Sequence, residues 1–154
     1  MTSVDSVKKP KNEKVSGAMA SAVIGEHDLD GLVYYALSNV SESGAKSIFG
    51  DGASACEGVL LALDKASGRI LWAQELESYA YASPVAVYSE AGRGWIIQPS
   101  ADGTITLLDG LTGNVLNTLK VEGTIEGSPA VYGSTLVIGT TGKNTSYIYG
   151  ISLE

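Results

Sequence analysis

The segment Gly103-Thr-Ile-Thr-Leu-Leu-Asp109-Gly-Leu-Thr-Gly113 matches an earlier segment, Gly58-Val-Leu-Leu-Ala-Leu-Asp64-Lys-Ala-Ser-Gly68, at an offset of 45 residues. A second pair of matching segments, Ser83-Pro84-Val85-Ala86-Val87 and Ser128-Pro129-Ala130-Val131-Tyr132, has the same offset. Two separate landmarks rarely share one offset by chance, and a fixed period of this length indicates a repeat architecture. The chain therefore contains a duplicated structural unit.

A partial copy lies on each side of these two units once small length changes are allowed. Ser21-Ala22-Val23-Ile24, followed by Leu32-Val33-Tyr34-Tyr35, parallels the segment from Ser83 that is followed by Trp95-Ile96-Ile97. At the other end, Ser146-Tyr-Ile-Tyr-Gly-Ile-Ser152 parallels the stretch from Gly58 to Asp64, with Ser152 in the place of the aspartate.

Each unit is predicted to contain four short β-strands. In the middle unit they are expected at about 83–88, 94–99, 104–109 and 114–120, because these runs are rich in β-branched and other apolar residues and are separated by glycine-containing turns. In the first unit a longer loop, Asn39 to Glu57, separates the second strand from the third. No segment shows a helical apolar period over ten or more residues, so the predicted fold is all-β.

Four antiparallel strands in a unit of about 45 residues are typical of a β-propeller blade. A repeated β-sandwich is the alternative, but sandwich duplications have periods near 100 residues. We therefore predict a partial propeller, in which a polar N-terminal segment at 1–17 precedes propeller repeats at 18–154. The blades are expected at about 18–78, 79–123 and, incomplete, 124–154.

The pattern of Gly58, Ala62, Leu63, Asp64, Ser67, Gly68 and Trp72 resembles the PQQ-like repeat, a family named for the pyrroloquinoline-quinone dehydrogenases. The Ser-Pro pairs at 83–84 and 128–129 also resemble the start of a blade in that family, whereas Asn117 stands where a second tryptophan would be expected. The roles expected for these residues are structural: polar side chains and glycines form turns, and tryptophan packs between blades. The structural repeat residues are Gly58, Asp64, Gly68, Trp72, Pro84, Gly103, Asp109, Gly113 and Pro129.

The resemblance implies an architecture and does not by itself imply the quinone cofactor. In the quinone enzymes of this family the cofactor stacks on a tryptophan, opposes a disulfide of adjacent cysteines and lies near calcium with an aspartate base. This chain has one cysteine, Cys56, and both Trp72 and Trp95 fall at apolar strand positions. We therefore expect no catalytic residue, and neither pyrroloquinoline quinone nor calcium, in this segment.

Three other features were candidates for a site. His27 lies in Glu26-His-Asp-Leu-Asp-Gly31, a faint calcium-loop pattern that fits a solvated turn better. Cys56 has no basic neighbour in sequence that would lower its pKa. Tyr79 and Tyr81 precede the first strand of the middle blade, where propeller loops reach the ligand face, and they are candidate partner-binding residues.

The amino-acid composition of the chain limits the class of partner that it can bind. The chain has 17 acidic and 10 basic residues, a net charge of −7, which argues against nucleic acid. Its apolar runs fall short of the roughly 18 residues that a membrane helix needs, and residues 1–20 show no signal peptide.

These observations favour a non-enzymatic binding or scaffold segment that contacts a protein, a peptide or a carbohydrate. The alternative is a fragment of a PQQ-dependent oxidoreductase whose active-site residues lie outside this chain. The family resemblance implies an extracytoplasmic location. Because three blades would leave strand edges and apolar faces uncovered, we expect either a larger parent chain or association between copies.

Overall fold

The repeats fold into three antiparallel sheets that follow one another along the chain. The structure is a computed structural model, and it describes residues 17–153. The first sheet, blade 1, contains β1 (Val23–Ile24), β2 (Leu32–Val40), β3 (Cys56–Asp64) and β4 (Ile70–Leu76). The second, blade 2, contains β5 (Val85–Tyr88), β6 (Gly94–Pro99), β7 (Thr104–Asp109) and β8 (Val115–Lys120). The third, blade 3, contains β9 (Ala130–Tyr132), β10 (Thr135–Thr140) and β11 (Tyr147–Ser152).

Within each sheet the strands pair in chain order, so each blade is a meander of hairpins. The predicted all-β fold with four-stranded antiparallel units is confirmed. In blade 2 the strands begin and end within two residues of the predicted positions. The largest difference is at β5, which begins at Val85 because Pro84 has no backbone N–H to donate to a ladder. The polar N-terminal segment predicted at 1–17 lies outside the described residues except for Gly17, which bridges to Ser38.

A short helix was missed by the sequence analysis. The connection between β2 and β3, expected to be a loop, contains α1 (Glu42–Phe49). The Ser41 side chain caps the helix by accepting a hydrogen bond from Gly44 N at 3.2 Å, and Gly50 follows the helix at a φ of 99°. With eight residues, α1 is shorter than the ten-residue window in which an apolar period was sought. A 3-10 turn, His27–Leu29, also connects β1 to β2.

Two apolar cores lie between the sheets. The first interface joins blades 1 and 2 and is centred on Tyr34, Leu60, Ile96 and Leu108. The second interface joins blades 2 and 3 and is centred on Ile97, Ile105, Leu136 and Ile138. Neighbouring residues of one strand, such as Ile96 and Ile97, enter different cores because successive strand side chains point to opposite faces of a sheet. The two central strands of blade 2, β6 and β7, are therefore covered on both faces.

No helix within residues 17–153 is long and apolar enough to cross a membrane.

Candidate functional site

The Asp-x-x-(Ser/Thr)-Gly segments form matching turns in blades 1 and 2. Asp64 Oδ1 accepts hydrogen bonds from the backbone N and the hydroxyl of Ser67, at 2.7 and 2.6 Å. In blade 2, Asp109 Oδ1 accepts the equivalent pair from Thr112, both at 3.0 Å. The hydroxyl and amide of Ser67 hold the pKa of Asp64 below its usual value. These aspartates are therefore bound to their own turns.

Trp72 joins the two blades. Its indole Nε1 donates to the carbonyl oxygen of Gly110 in blade 2 at 3.1 Å, and the Tyr34 hydroxyl donates to the same oxygen at 3.0 Å. The ring also lies against Gly113, where an added Cβ would come within 2.6 Å of the indole. The two aromatic rings are 5.8 Å apart. Trp72 therefore packs, partly buried, between blades 1 and 2.

Of the remaining motif residues, Gly58 lies within β3, whereas Gly103, Pro84 and Pro129 lie at connections between strands. A Cβ at Gly58 would come within 2.3 Å of the Ser78 carbonyl oxygen. Gly103, at a φ of 90°, closes the β6–β7 hairpin through its N–H bond to Ser100 O at 3.0 Å. Pro84 and Pro129 each stand immediately before the first strand of a blade. These glycines and prolines determine the path of the backbone.

The serines that start each blade form a ladder across the sheets. Ser21 N donates to the Ser83 hydroxyl at 2.8 Å, and Ser83 N donates to the Ser128 hydroxyl at 2.9 Å. Each step therefore links the start of one blade to the start of the next. Sequence comparison found the Ser-Pro repeat, but it gave no sign that the serines bind one another.

The two tyrosines predicted to contact a partner stack on each other. The rings of Tyr79 and Tyr81 are 5.7 Å apart and nearly parallel, with an angle of 10° between them. Tyr79 is buried, and its carbonyl oxygen accepts a hydrogen bond from Ala101 N at 2.7 Å. Tyr81 is half-buried. Of the pair, Tyr81 is the residue whose side chain is accessible to a partner.

The other sequence candidates are dispersed. His27 lies in the 3-10 turn, and its ring packs edge-to-face with the Tyr88 ring, with 5.0 Å between the ring centroids. Burial, with a smaller contribution from Glu75, raises the pKa of the Cys56 thiol, which makes the thiolate nucleophile less available. Among residues 17–153, no three His, Cys, Asp or Glu side chains are grouped as metal ligands would be.

A shallow groove beside blade 2 contains a paired cation. Arg93 forms an ion pair with Asp109 at 3.2 Å, and its guanidinium carbon lies 5.5 Å from the centre of the Trp95 ring. Burial raises the pKa of Asp109, but hydrogen bonds from Thr112 and the charge of Arg93 outweigh it, and the net shift is downward. A guanidinium already held by a carboxylate and a ring is poorly placed to bind an anion.

An uncovered apolar surface lies on the side of blade 3 that faces away from blade 2. Strand pairing defines equivalent positions: Ile148 faces Gly139 as Ile105 faces Pro99 and as Leu60 faces Ala36. Leu60 and Ile105 are 0% and 7% exposed, because they lie in the first and second interfaces. Ile148 is 83% exposed. Position for position, blade 3 presents a surface of the kind that the other two blades bury.

Two further side chains extend this surface. Val137 is equivalent to the buried Tyr34 and Ile97, since each pairs with the corresponding residue of its blade's first strand. Val137 is exposed. Tyr132, the last residue of β9, is 92% exposed and lies on the same side of the sheet. We call Tyr132, Val137 and Ile148 the open face of blade 3. Isolated apolar side chains are common on protein surfaces, but a contiguous group of them marks an interaction site. It is the candidate functional site of this chain.

The comparisons with known proteins identify the class of fold. No family model and no curated protein matches the sequence. Among solved structures, BamB from Moraxella catarrhalis is 18% identical, with a TM-score of 0.57 over 88% of this chain and 34% of that one. Quinohemoprotein alcohol dehydrogenase from Comamonas testosteroni is 21% identical, with a TM-score of 0.59 over 90% and 20%. A europium-containing methanol dehydrogenase is 17% identical, with a TM-score of 0.56 over 79% and 24%.

The chain thus has the fold of β-propeller blades. More narrowly, the similarity is to BamB and to PQQ-dependent dehydrogenases, so the resemblance to PQQ-like propellers is confirmed at the level of the fold. The chain spans about a third or less of the length of these structures.

Proposed function

We propose that this chain is a non-enzymatic binding segment of a β-propeller, and that it docks a protein partner through the open face of blade 3. One observation carries the proposal: Ile148 is 83% exposed although its equivalents in the other two blades are buried. Large apolar side chains in such a patch stabilise a complex because the partner buries them away from water. Such side chains usually form the centre of a protein interface.

The side chains of the open face favour a protein over a carbohydrate. Val137 and Ile148 are aliphatic and offer no hydrogen bonds to sugar hydroxyls. Tyr132 combines a large apolar ring with a hydroxyl, which suits the rim of a protein interface. Tyr81 remains a predicted second contact. An extracytoplasmic location is part of the proposal and rests on the resemblance of fold alone.

Site-specific photo-crosslinking tests this function. A photoreactive phenylalanine analogue would replace Tyr132 in cells that express the chain, and the matched control would carry it at Lys143, an exposed residue of the same blade. We expect position 132 to capture a protein that position 143 does not. The purified partner should then bind the chain at least about tenfold more weakly after Ile148→Asp, because an aspartate would have to be desolvated in the interface. Equal capture from both positions would refute the proposal.

The second candidate function is a fragment of a quinoprotein oxidoreductase, and it is favoured by the fold similarity to two dehydrogenases. Calorimetric titration with pyrroloquinoline quinone, with and without calcium, separates the two functions. We expect no saturable binding to this chain, because Trp72 is already enclosed by blade 2. Saturable binding that is lost in Trp72→Phe or Trp95→Phe would favour the dehydrogenase function instead.

A further inference from the structure

The two outer sides of the three-blade arc carry complementary halves of one contact. At blade 3 these are the open face and Ser128. At blade 1 they are Ser21 and Ile24, both exposed, with Ile24 63% exposed. The two sets repeat the parts that already meet at the first and second interfaces.

The serine ladder supplies the polar half of the contact. In both existing steps, the backbone N–H of one serine donates to the hydroxyl of the serine that starts the next blade. Within the described part of the chain, Ser128 N has no acceptor and the Ser21 hydroxyl has no donor. The ladder therefore ends in an unused donor at one side of the arc and an unused acceptor at the other.

The inner strands supply the apolar half. Strand pairing makes Ile24 equivalent to Ala86 and Val131, since each pairs with the corresponding residue of its second strand. Ala86 packs against the first core and Val131 against the second, so both lie on the side that meets the preceding blade. Ile24 lies on the same side of its own blade, and no sheet within residues 17–153 precedes that blade. The helix α1 contacts β4, the outermost strand of blade 1, and leaves this inner position accessible.

We infer that the open face of blade 3 binds blade 1 of a second copy of this chain, head to tail. Ser128 N of one copy donates to the Ser21 hydroxyl of the other, which adds a third step to the ladder. Ile24 packs on the open face as Ala86 and Val131 pack in the existing interfaces. This inference rests on the proposed function, because it names the occupant of the same surface. The contact is heterologous, with different surfaces on the two partners, so it extends or closes by repetition.

Sedimentation velocity over a range of concentrations tests the association. The wild-type chain is expected to form species of at least twice 15.9 kDa as its concentration rises. Ile148→Asp and Ile24→Asp should each weaken this association at least about tenfold, since each places a charge in an apolar contact. The matched control is Leu116→Asp, at an exposed apolar residue of β8 that belongs to neither half. Near-ultraviolet circular dichroism of Trp72 and Trp95 would establish that every variant is folded.

Cysteine crosslinking tests the direction of the contact. In a Cys56→Ala background, Ser21→Cys and Ser128→Cys would be made on separate chains and mixed under mild oxidation. We expect a disulfide-linked dimer from the mixture and far less from either chain alone. A dimer formed by Ser128→Cys alone would mean that two blade 3 faces meet, and the head-to-tail arrangement would be wrong.

A chain that stays monomeric at all concentrations, or that associates equally well in Ile148→Asp and Ile24→Asp, would overturn the inference. The proposed function would survive either result if the partner captured from position 132 still binds and is still lost in Ile148→Asp. Conversely, if position 132 captures only a second copy of the chain, self-docking would be the role of the face. The two proposals therefore fail separately.

Discussion

The first and second interfaces are built from equivalent positions, but they do not hold their two blades together equally firmly. Across the first, the Gly110 carbonyl oxygen accepts two side-chain hydrogen bonds, from Trp72 and Tyr34, and the Tyr88 hydroxyl accepts a third from Glu26 N at 2.7 Å. Across the second, Asn117 replaces the tryptophan, and the Tyr149 hydroxyl accepts a hydrogen bond from Glu122 N and donates one to Glu122 O, both at a longer 3.3 Å. The repeat dictates which residues face one another, and individual substitutions decide how firmly the blades are joined.

This difference between the interfaces affects how readily neighbouring blades separate. All six residues of β8 are exposed, whereas the equivalent strand β4 is partly covered where Trp72 packs on blade 2. Fewer buried contacts and more exposed backbone hydrogen bonds characterise the parts of a protein that open first. We therefore expect blade 3 to separate from blade 2 more readily than blade 2 separates from blade 1. A binding surface on the more loosely held blade is consistent with the function proposed above.

The largest expected effect comes from removing the tryptophan of the first interface. Trp72→Ala deletes the packed ring and leaves the Gly110 carbonyl oxygen with one donor fewer, so we expect a loss of about 4 kcal/mol in the free energy of unfolding. The control at the equivalent position, Asn117→Ala, is exposed and should change it by less than about 0.5 kcal/mol. Urea denaturation followed by circular dichroism measures both. Similar losses from the two variants would show that the interfaces are equally tied.

A smaller effect is expected from the two turn glycines, which separate backbone strain from packing. Gly68 and Gly113 have nearly the same φ, 72° and 74°, but a Cβ at Gly68 meets open space whereas one at Gly113 would contact the Trp72 ring. Gly68→Ala should cost about 1 kcal/mol through the left-handed backbone alone. Gly113→Ala should cost about 2–3 kcal/mol, since overpacking adds to the strain. Equal costs in urea denaturation would mean that the indole moves aside freely.

The smallest effect concerns the turn carboxylate at the edge of the first interface. The folded pKa of Asp109 lies below its unfolded value, so the ionised group stabilises the fold above about pH 4 and loses this effect as the pH falls through the folded pKa. Asp109→Asn should lower the free energy of unfolding by about 1 kcal/mol at pH 7. The difference from wild type should shrink as the pH falls below about 5 and through the folded pKa. A difference that is constant with pH would mean that the charge of Asp109 does not contribute.

Much of the fold was predictable because its determinants are local. The four strands of blade 2 follow from short β-rich runs between glycine turns, and Asp102-Gly103 marks a hairpin that the structure contains. The candidate site was not predictable in the same way. Tyr79 and Tyr81 were selected because they precede a strand, yet the Tyr79 side chain is buried, and Tyr132 was read simply as part of a repeat. The helix α1 was missed because its stabilising contacts, the Ser41 cap and the buried Ala45, involve few residues.

By itself, the sequence determined the repeat period, the class of fold and the chemistry of the turns, because each depends on residues a few positions apart. The tertiary structure alone decided which distant groups meet, such as the Trp72 indole and the Gly110 carbonyl, 38 residues away. It also decided that Leu60, Ile105 and Ile148 differ in exposure, although they occupy the same place in the repeat. Burial is a property of the neighbouring sheet, and a repeated segment does not encode whether a neighbour is present.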